Sequence, residues 1–229
     1  TLLDLGLPLD GLEYRFMADQ VHAPGSILTG HDNGIITINI AEADDLERER
    51  RRLALHEPYR TVLGHLRHEV GHYYWDRLIR DAGLEAAFRK CFGDERQDYA
   101  AALQRHYDQG PPAGWQDEHV SAYASTHPWE DWAESWAHYL HMITALDTAA
   151  HCGLGVQPHR DDEPRLTLDA AEPQHRRSFD RLIADWLALT YVLNNLDRSL
   201  GLSDSYPFVL AQPVIRKLRF IHEHLPRAD

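Results

Sequence analysis

His68 and His72 stand four residues apart inside a stretch, Tyr59 to about Arg80, whose apolar residues Val62, Leu66, Val70, Tyr73 and Tyr74 recur at helical spacing. The spacing predicts one long helix. On a helix, positions i and i+4 lie one above the other, so both imidazoles leave from a single face. Glu69 stands one residue on from His68, about 100° around the axis. Gly71, between the histidines, costs a helix about 1 kcal/mol relative to alanine. It leaves room at that point for a close-packed neighbour.

His68-Glu69-Val70-Gly71-His72 has the H-E-x-x-H spacing that aims two imidazoles at one zinc ion, with Glu69 as the general base flanking the metal-bound water. A catalytic zinc needs a third protein ligand and one open position. A histidine six residues beyond His72 would be one solution, but Leu78 stands there. A glutamate on a second helix is the other, and Trp129-Glu130-Asp131-Trp132-Ala133-Glu134-Ser135-Trp136-Ala137-His138 supplies two, Glu130 and Glu134, one turn apart. Glu130 also sits where a helix N-terminus favours any acid, which leaves Glu134 as the alternative ligand. Trp129, Trp132, Trp136 and Ile143 form the adjoining stripe and are expected in the core, holding the carboxylate face against the first helix. Asp76, one turn past His72, is a candidate outer carboxylate for a ligand imidazole. His65 precedes His68 by about a turn.

Residues 1–42 read as β-rich. Gly34 to Ile40 is a β-branched run introduced by the turn Asp32-Asn33-Gly34, with Leu12 to Met17 as a candidate partner strand. Helices are expected at Asp44–Leu55, Leu84–Cys91, Asp94–Tyr107, Pro128–Ala149, 174–199 and 207–224, with 151–172 a long loop. No repeat or flexible linker interrupts them. The expected fold is α+β, one unit over 1–229: a small N-terminal sheet (β-rich 1–42) on a mostly helical body (43–229), with the zinc between the two motif helices.

A net charge of −13 argues against a nucleic-acid partner, because phosphate contacts need clustered Lys and Arg. The one basic run, Arg48–Arg52, is interleaved with Glu47 and Glu49 and reads as a solvated helix face. No apolar run reaches the roughly 18–20 residues that span a bilayer. The first residues lack the basic and apolar regions of a signal peptide, so no membrane association is expected. Two distant cysteines, Cys91 and Cys152, read as packing residues in a reducing compartment, the cytoplasm.

The stretches Gly64-His65-Leu66-Arg67 with the HEVGHYYWD that follows, FGDERQDYAAALQRHY and HPWEDWAESWAHYLH resemble a bacterial family of zinc-binding metallopeptidases, long known as a domain of unknown function, over roughly residues 10–220. Members often carry an N-terminal four-cysteine zinc ribbon, and those cysteines are missing here. Locally, E-x-x-A-E after HExxH resembles the glutamate zincins (gluzincins) of the anthrax lethal factor type. That resemblance implies Glu130 as the zinc ligand and Glu134 as the partner of a ligand histidine. It also implies the Ile35–Ile40 strand as the sheet edge beside the cleft, and a tyrosine seven residues before the ligand glutamate as an oxyanion donor. Tyr123 occupies that offset, with His119 and His127 as rivals in the same loop. The expectation is a zinc-dependent peptidase acting on a peptide or protein substrate. The alternatives are a zinc hydrolase of a non-peptide amide, or a metal-binding interaction protein without turnover. Retention of Glu69 speaks against the last.

Overall fold

The computed structural model describes residues 1–18, 29–44 and 61–226. Over them the chain is α+β, with strands β1 (Glu13–Met17), β2 (Gly30–Asp32) and β3 (Ile35–Asn39) preceding six helices. These are α1 (Val62–Trp75), α2 (Glu85–Phe92), α3 (Tyr99–Gln109), α4 (Pro128–His151), α5 (Phe179–Ser199) and α6 (Gln212–His224). The expected helix after Asp44, with its basic run Arg48–Arg52, lies outside the described residues.

The turn signal forms a hairpin between β2 and β3. Asn33 and Gly34 take φ of 47° and 87°, the left-handed pair that a two-residue hairpin requires. Gly34 is fixed for a second reason: a Cβ there would lie 2.2 Å from the Gly11 carbonyl oxygen. β1 pairs parallel to β3 and β2 antiparallel to it, in the order β1-β3-β2. β3 is therefore the central strand, which corrects the expectation that 35–40 forms the cleft-side edge. Its alternate residues Ile36 and Ile38 are buried, as a strand with a neighbour on each side and a helix beneath allows. The antiparallel edge is β2, and its His31 ring lies 6.4 Å from that of His72.

α1 begins later than the periodicity predicts. Thr61 is extended (φ −128°, ψ 152°), and its hydroxyl accepts the Gly64 N–H at 2.9 Å, so Thr61 caps the helix and Val62 opens it. Past Trp75 the helix widens into a π segment over Asp76–Arg80, with the Asp81 N–H bonded to the Asp76 carbonyl at 2.8 Å. Tyr73 and Tyr74 donate their hydroxyls to the carbonyls of Asp10 and Pro8, which ties the segment before β1 to this helix.

α4 crosses α1 at Gly71. A Cβ there would meet Ala133 Cα at 3.0 Å and Trp136 Cδ1 at 3.1 Å. The Trp132 indole N–H donates to the Gly71 carbonyl at 2.8 Å. Trp132, Trp136 and Ile143 are buried as the stripe predicts. Trp129 departs from it: half-buried, its ring lies 4.0 Å from that of His72. Two later helices start where a polar side chain caps them. Asp98 accepts from Ala101 N–H and starts α3 at Tyr99, not Asp94, and Ser178 caps α5 at Phe179. The loop after α4 holds an antiparallel bridge, Val156 to Leu166. Cys91 packs against the core, whereas Cys152 is exposed at the end of α4 and is not the packing residue expected. No described helix is long and apolar enough to cross a membrane.

The crossing generates a stability prediction. Alanine at 71 gains about 1 kcal/mol of helix propensity. It forces a methyl against backbone at Ala133, where nothing flexible can yield, and overpacking of this kind costs about 1–3 kcal/mol. Gly71→Ala should lower the denaturant midpoint, and a variant more stable than the parent would refute the close-contact account.

Candidate metal centre

α1 delivers His68 and His72, and the first turn of α4 delivers Glu130; these residues are 7, 4 and 1 % exposed. The two Nε2 atoms stand 3.1 Å apart. Glu130 Oε2 lies 2.9 Å from His68 Nε2 and 3.4 Å from His72 Nε2. Zinc donors about 2.0–2.2 Å from a tetrahedral ion stand about 3.3–3.6 Å from one another, so this triangle needs only a few tenths of an ångström of expansion to hold one. Glu130 Oε2 is buried, and apart from the two imidazole nitrogens nothing among the described residues bonds it, so its lone pairs converge with those of the imidazoles. These three residues could hold a metal ion, and they are the one such group found among the described residues.

The remaining nitrogen of His68 fixes its tautomer. Nδ1 lies 2.6 Å from Glu134 Oε1, and Glu134 Oε2 accepts the Ser121 hydroxyl at 2.6 Å. Ser121 in turn accepts the Ala124 N–H, so the loop before α4 holds the carboxylate. With Nδ1 as the donor, Nε2 carries its lone pair toward Glu130 and His72. Glu130 and Glu134, one turn apart, thus reach opposite nitrogens of one ring. Asp76 does not act on His72: its carboxylate pairs with Arg80 one turn on, at 2.7 Å, inside the π segment. His72 Nδ1 is buried without a hydrogen bond among the described residues. His65 pairs with the buried Glu42, which also accepts the Thr29 hydroxyl at 2.7 Å.

Glu69 is half-buried on α1, near enough to the Tyr99 phenol for its charge to raise the phenol's pKa. Tyr123 lies in a short 3-10 turn (Tyr123–Ser125), its ring 5.9 Å from that of His68. Burial first, then the charge of Glu130, raises its pKa, so the phenol keeps its proton. The rival histidines are engaged elsewhere. His127 caps α4, with Nδ1 accepting the Trp129 N–H at 3.1 Å and Nε2 3.2 Å from the Gln97 carbonyl oxygen. His119 lies 3.2 Å from the buried Asp131.

Burial alone would drive the His68 imidazole down and the Glu130 carboxyl up. The ion pairing overrides it. Hydrogen bonds and charge from Glu130 and Glu134 raise His68 well above the usual histidine range, and His72 and His68 hold Glu130 well below the usual carboxylate range. The same imidazole lowers Glu134.

Sequence reasoning missed Tyr99, whose hydroxyl donates to Glu130 Oε1 at 2.5 Å. It also missed Ser121 and the approach of His31 to His72. Asp98 signals a cap that would have started α3 at Tyr99, but no spacing rule links Tyr99 to an acid 31 residues away.

Three mycobacterial proteins are similar to this chain: an uncharacterized protein of Mycobacterium bovis and uncharacterized proteins of two Mycobacterium tuberculosis strains. Each is 49 % identical over 216 residues, which make up 94 % of this chain and 60 % of the relative. The chain thus spans about 60 % of the length of these relatives. No solved structure matches it. Residues 4–224 match the family described as "putative zinc-binding metallo-peptidase", and with the histidine pair and Glu130 of that stretch gathered at one point, the chain belongs to that family.

Proposed function

We propose that the protein is a zinc-dependent peptidase of the gluzincin type, in which His68, His72 and Glu130 hold the metal and Glu69 is the general base. The observation that carries this reading is the convergence of two imidazole nitrogens and one otherwise unbonded carboxylate oxygen within 2.9–3.4 Å. A zinc bound there would lower the pKa of a water and polarise a carbonyl oxygen. Glu69, half-buried on the same helix, takes the proton of the attacking water and passes it to the leaving amine. Glu134, through Nδ1, keeps His68 in the tautomer that leaves Nε2 bare. The Tyr123 phenol, neutral and beside His68, donates to the oxygen on which charge develops. The substrate is a peptide or protein.

Two measurements test this. Elemental analysis should find about one zinc per chain, lost in His68→Ala and in His72→Ala. Glu69→Gln should keep the metal and lower turnover of any cleaved peptide by roughly 10²–10⁴-fold. Full zinc in both histidine variants, or wild-type turnover in Glu69→Gln, would sink the assignment.

Tyr123→Phe should leave zinc content unchanged and lower kcat by roughly 10²–10³-fold, since the donor acts on the transition state. A near-normal kcat would end that role.

The raised pKa of His68 sets the pH dependence. Proton and metal compete for Nε2, so a raised pKa strengthens the proton as competitor. Apparent zinc affinity should fall as pH falls, by up to about tenfold per unit below that pKa. Chelator competition between pH 8 and pH 6 reads this directly, and an affinity flat across that range would contradict it.

A further inference from the structure

The two oxygens of Glu130 have different environments. Oε2 faces both Nε2 atoms, whereas Oε1 accepts the Tyr99 hydroxyl at 2.5 Å. Tyr99 is held in place by more than its bond to Glu130. Asp98 caps α3 so that Tyr99 is its first residue. His127 Nε2, 3.2 Å from the Gln97 carbonyl oxygen, staples the residues before that cap to the start of α4. The Tyr99 ring then stands edge-on to His127 at 5.2 Å and to Trp129 at 5.9 Å, the residues that flank Pro128 just before Glu130. Hydroxyl and carboxylate are therefore brought together by the same helix start.

We infer that Tyr99 is a positioning residue that restricts Glu130 to binding the metal through one oxygen, Oε2. The inference rests on the metal reading proposed above and deepens it. A carboxylate free to rotate can give both oxygens to an ion and fill the position that water or substrate must use. A strong hydrogen bond to Oε1 opposes that rotation, and a neutral phenol supplies it without competing for the metal. Nothing else among the described residues bonds Glu130 Oε1. The assignment separates the two tyrosines near Glu130: Tyr99 acts on the ligand, and Tyr123 on the substrate.

Cobalt(II) substitution tests this. Wild-type protein loaded with cobalt should show the intense visible bands of a four-coordinate ion. Tyr99→Phe retains the ring and its edge-on contacts but not the hydroxyl. It should bind cobalt in the same stoichiometry with bands weakened several-fold, as a second Glu130 oxygen raises the coordination number. An unchanged spectrum in Tyr99→Phe at full loading overturns the role of Tyr99 and leaves the metal reading intact. Wild-type protein that takes up no cobalt overturns the metal reading, and this role with it. Should Tyr99→Phe fail to fold, infrared difference spectra of metal-loaded minus metal-free wild type decide, with Glu130→Gln identifying the band. A wide separation of the antisymmetric and symmetric carboxylate stretches supports one-oxygen binding, and a narrow one refutes it.

Discussion

α1 and α4 meet where Gly71 has no side chain, and the metal centre depends on that contact. The histidines stand on either side of it along α1, and the Glu130 carboxylate leaves the first turn of α4, three residues before Ala133 and six before Trp136. With Ala133 Cα 3.0 Å from where a Cβ of residue 71 would be, the helix axes are as close as backbone allows. Pushing them apart by a methyl group moves Glu130 Oε2 away from both Nε2 atoms, because the short glutamate stem has little slack. Packing and ligand geometry are thus one constraint, and it acts through the absence of atoms.

The rotation of α4 about its own axis is fixed from an adjoining face. Asp131, next to Glu130, is fully buried and lies 2.6 Å from Lys217 Nζ on α6 and 3.2 Å from His119. A buried ion pair of this kind is weak evidence for net stability, but removing one partner leaves an uncompensated buried charge at a cost of about 3–5 kcal/mol. That penalty makes any other rotation of α4 expensive. Two adjacent acids therefore point about 100° apart on the helix, one into the ligand triangle and one into the structural pair.

What the sequence makes legible is what a single helix can express. The i, i+4 rule places His68 with His72, and Glu130 with Glu134, on common faces; the stripe of Trp132, Trp136 and Ile143 tells which side of α4 is buried. Which carboxylate meets which nitrogen is not local information. Glu130 and Glu134 share a face, and only the height of α4 against α1 sends one to Nε2 and the other to Nδ1. The same limit hides Tyr99, and it hides the central place of β3, because strand order depends on a parallel partner, with Glu13 opposite Ile35, far back in the chain. Asp76 shows a different limit: its N–H still bonds the His72 carbonyl as regular α geometry predicts, yet its carboxylate pairs with Arg80 one turn on, a choice of partner that spacing does not decide.

The two histidines are held by unlike forces. His68 is bonded at both nitrogens, to Glu134 and toward Glu130, so electrostatics fix its plane. His72 has no bond at Nδ1 among the described residues and is oriented by contact, with the Trp129 ring 4.0 Å away and His31 stacked at 6.4 Å. One imidazole is therefore oriented by carboxylates and the other by ring contacts, although both leave the same face of α1.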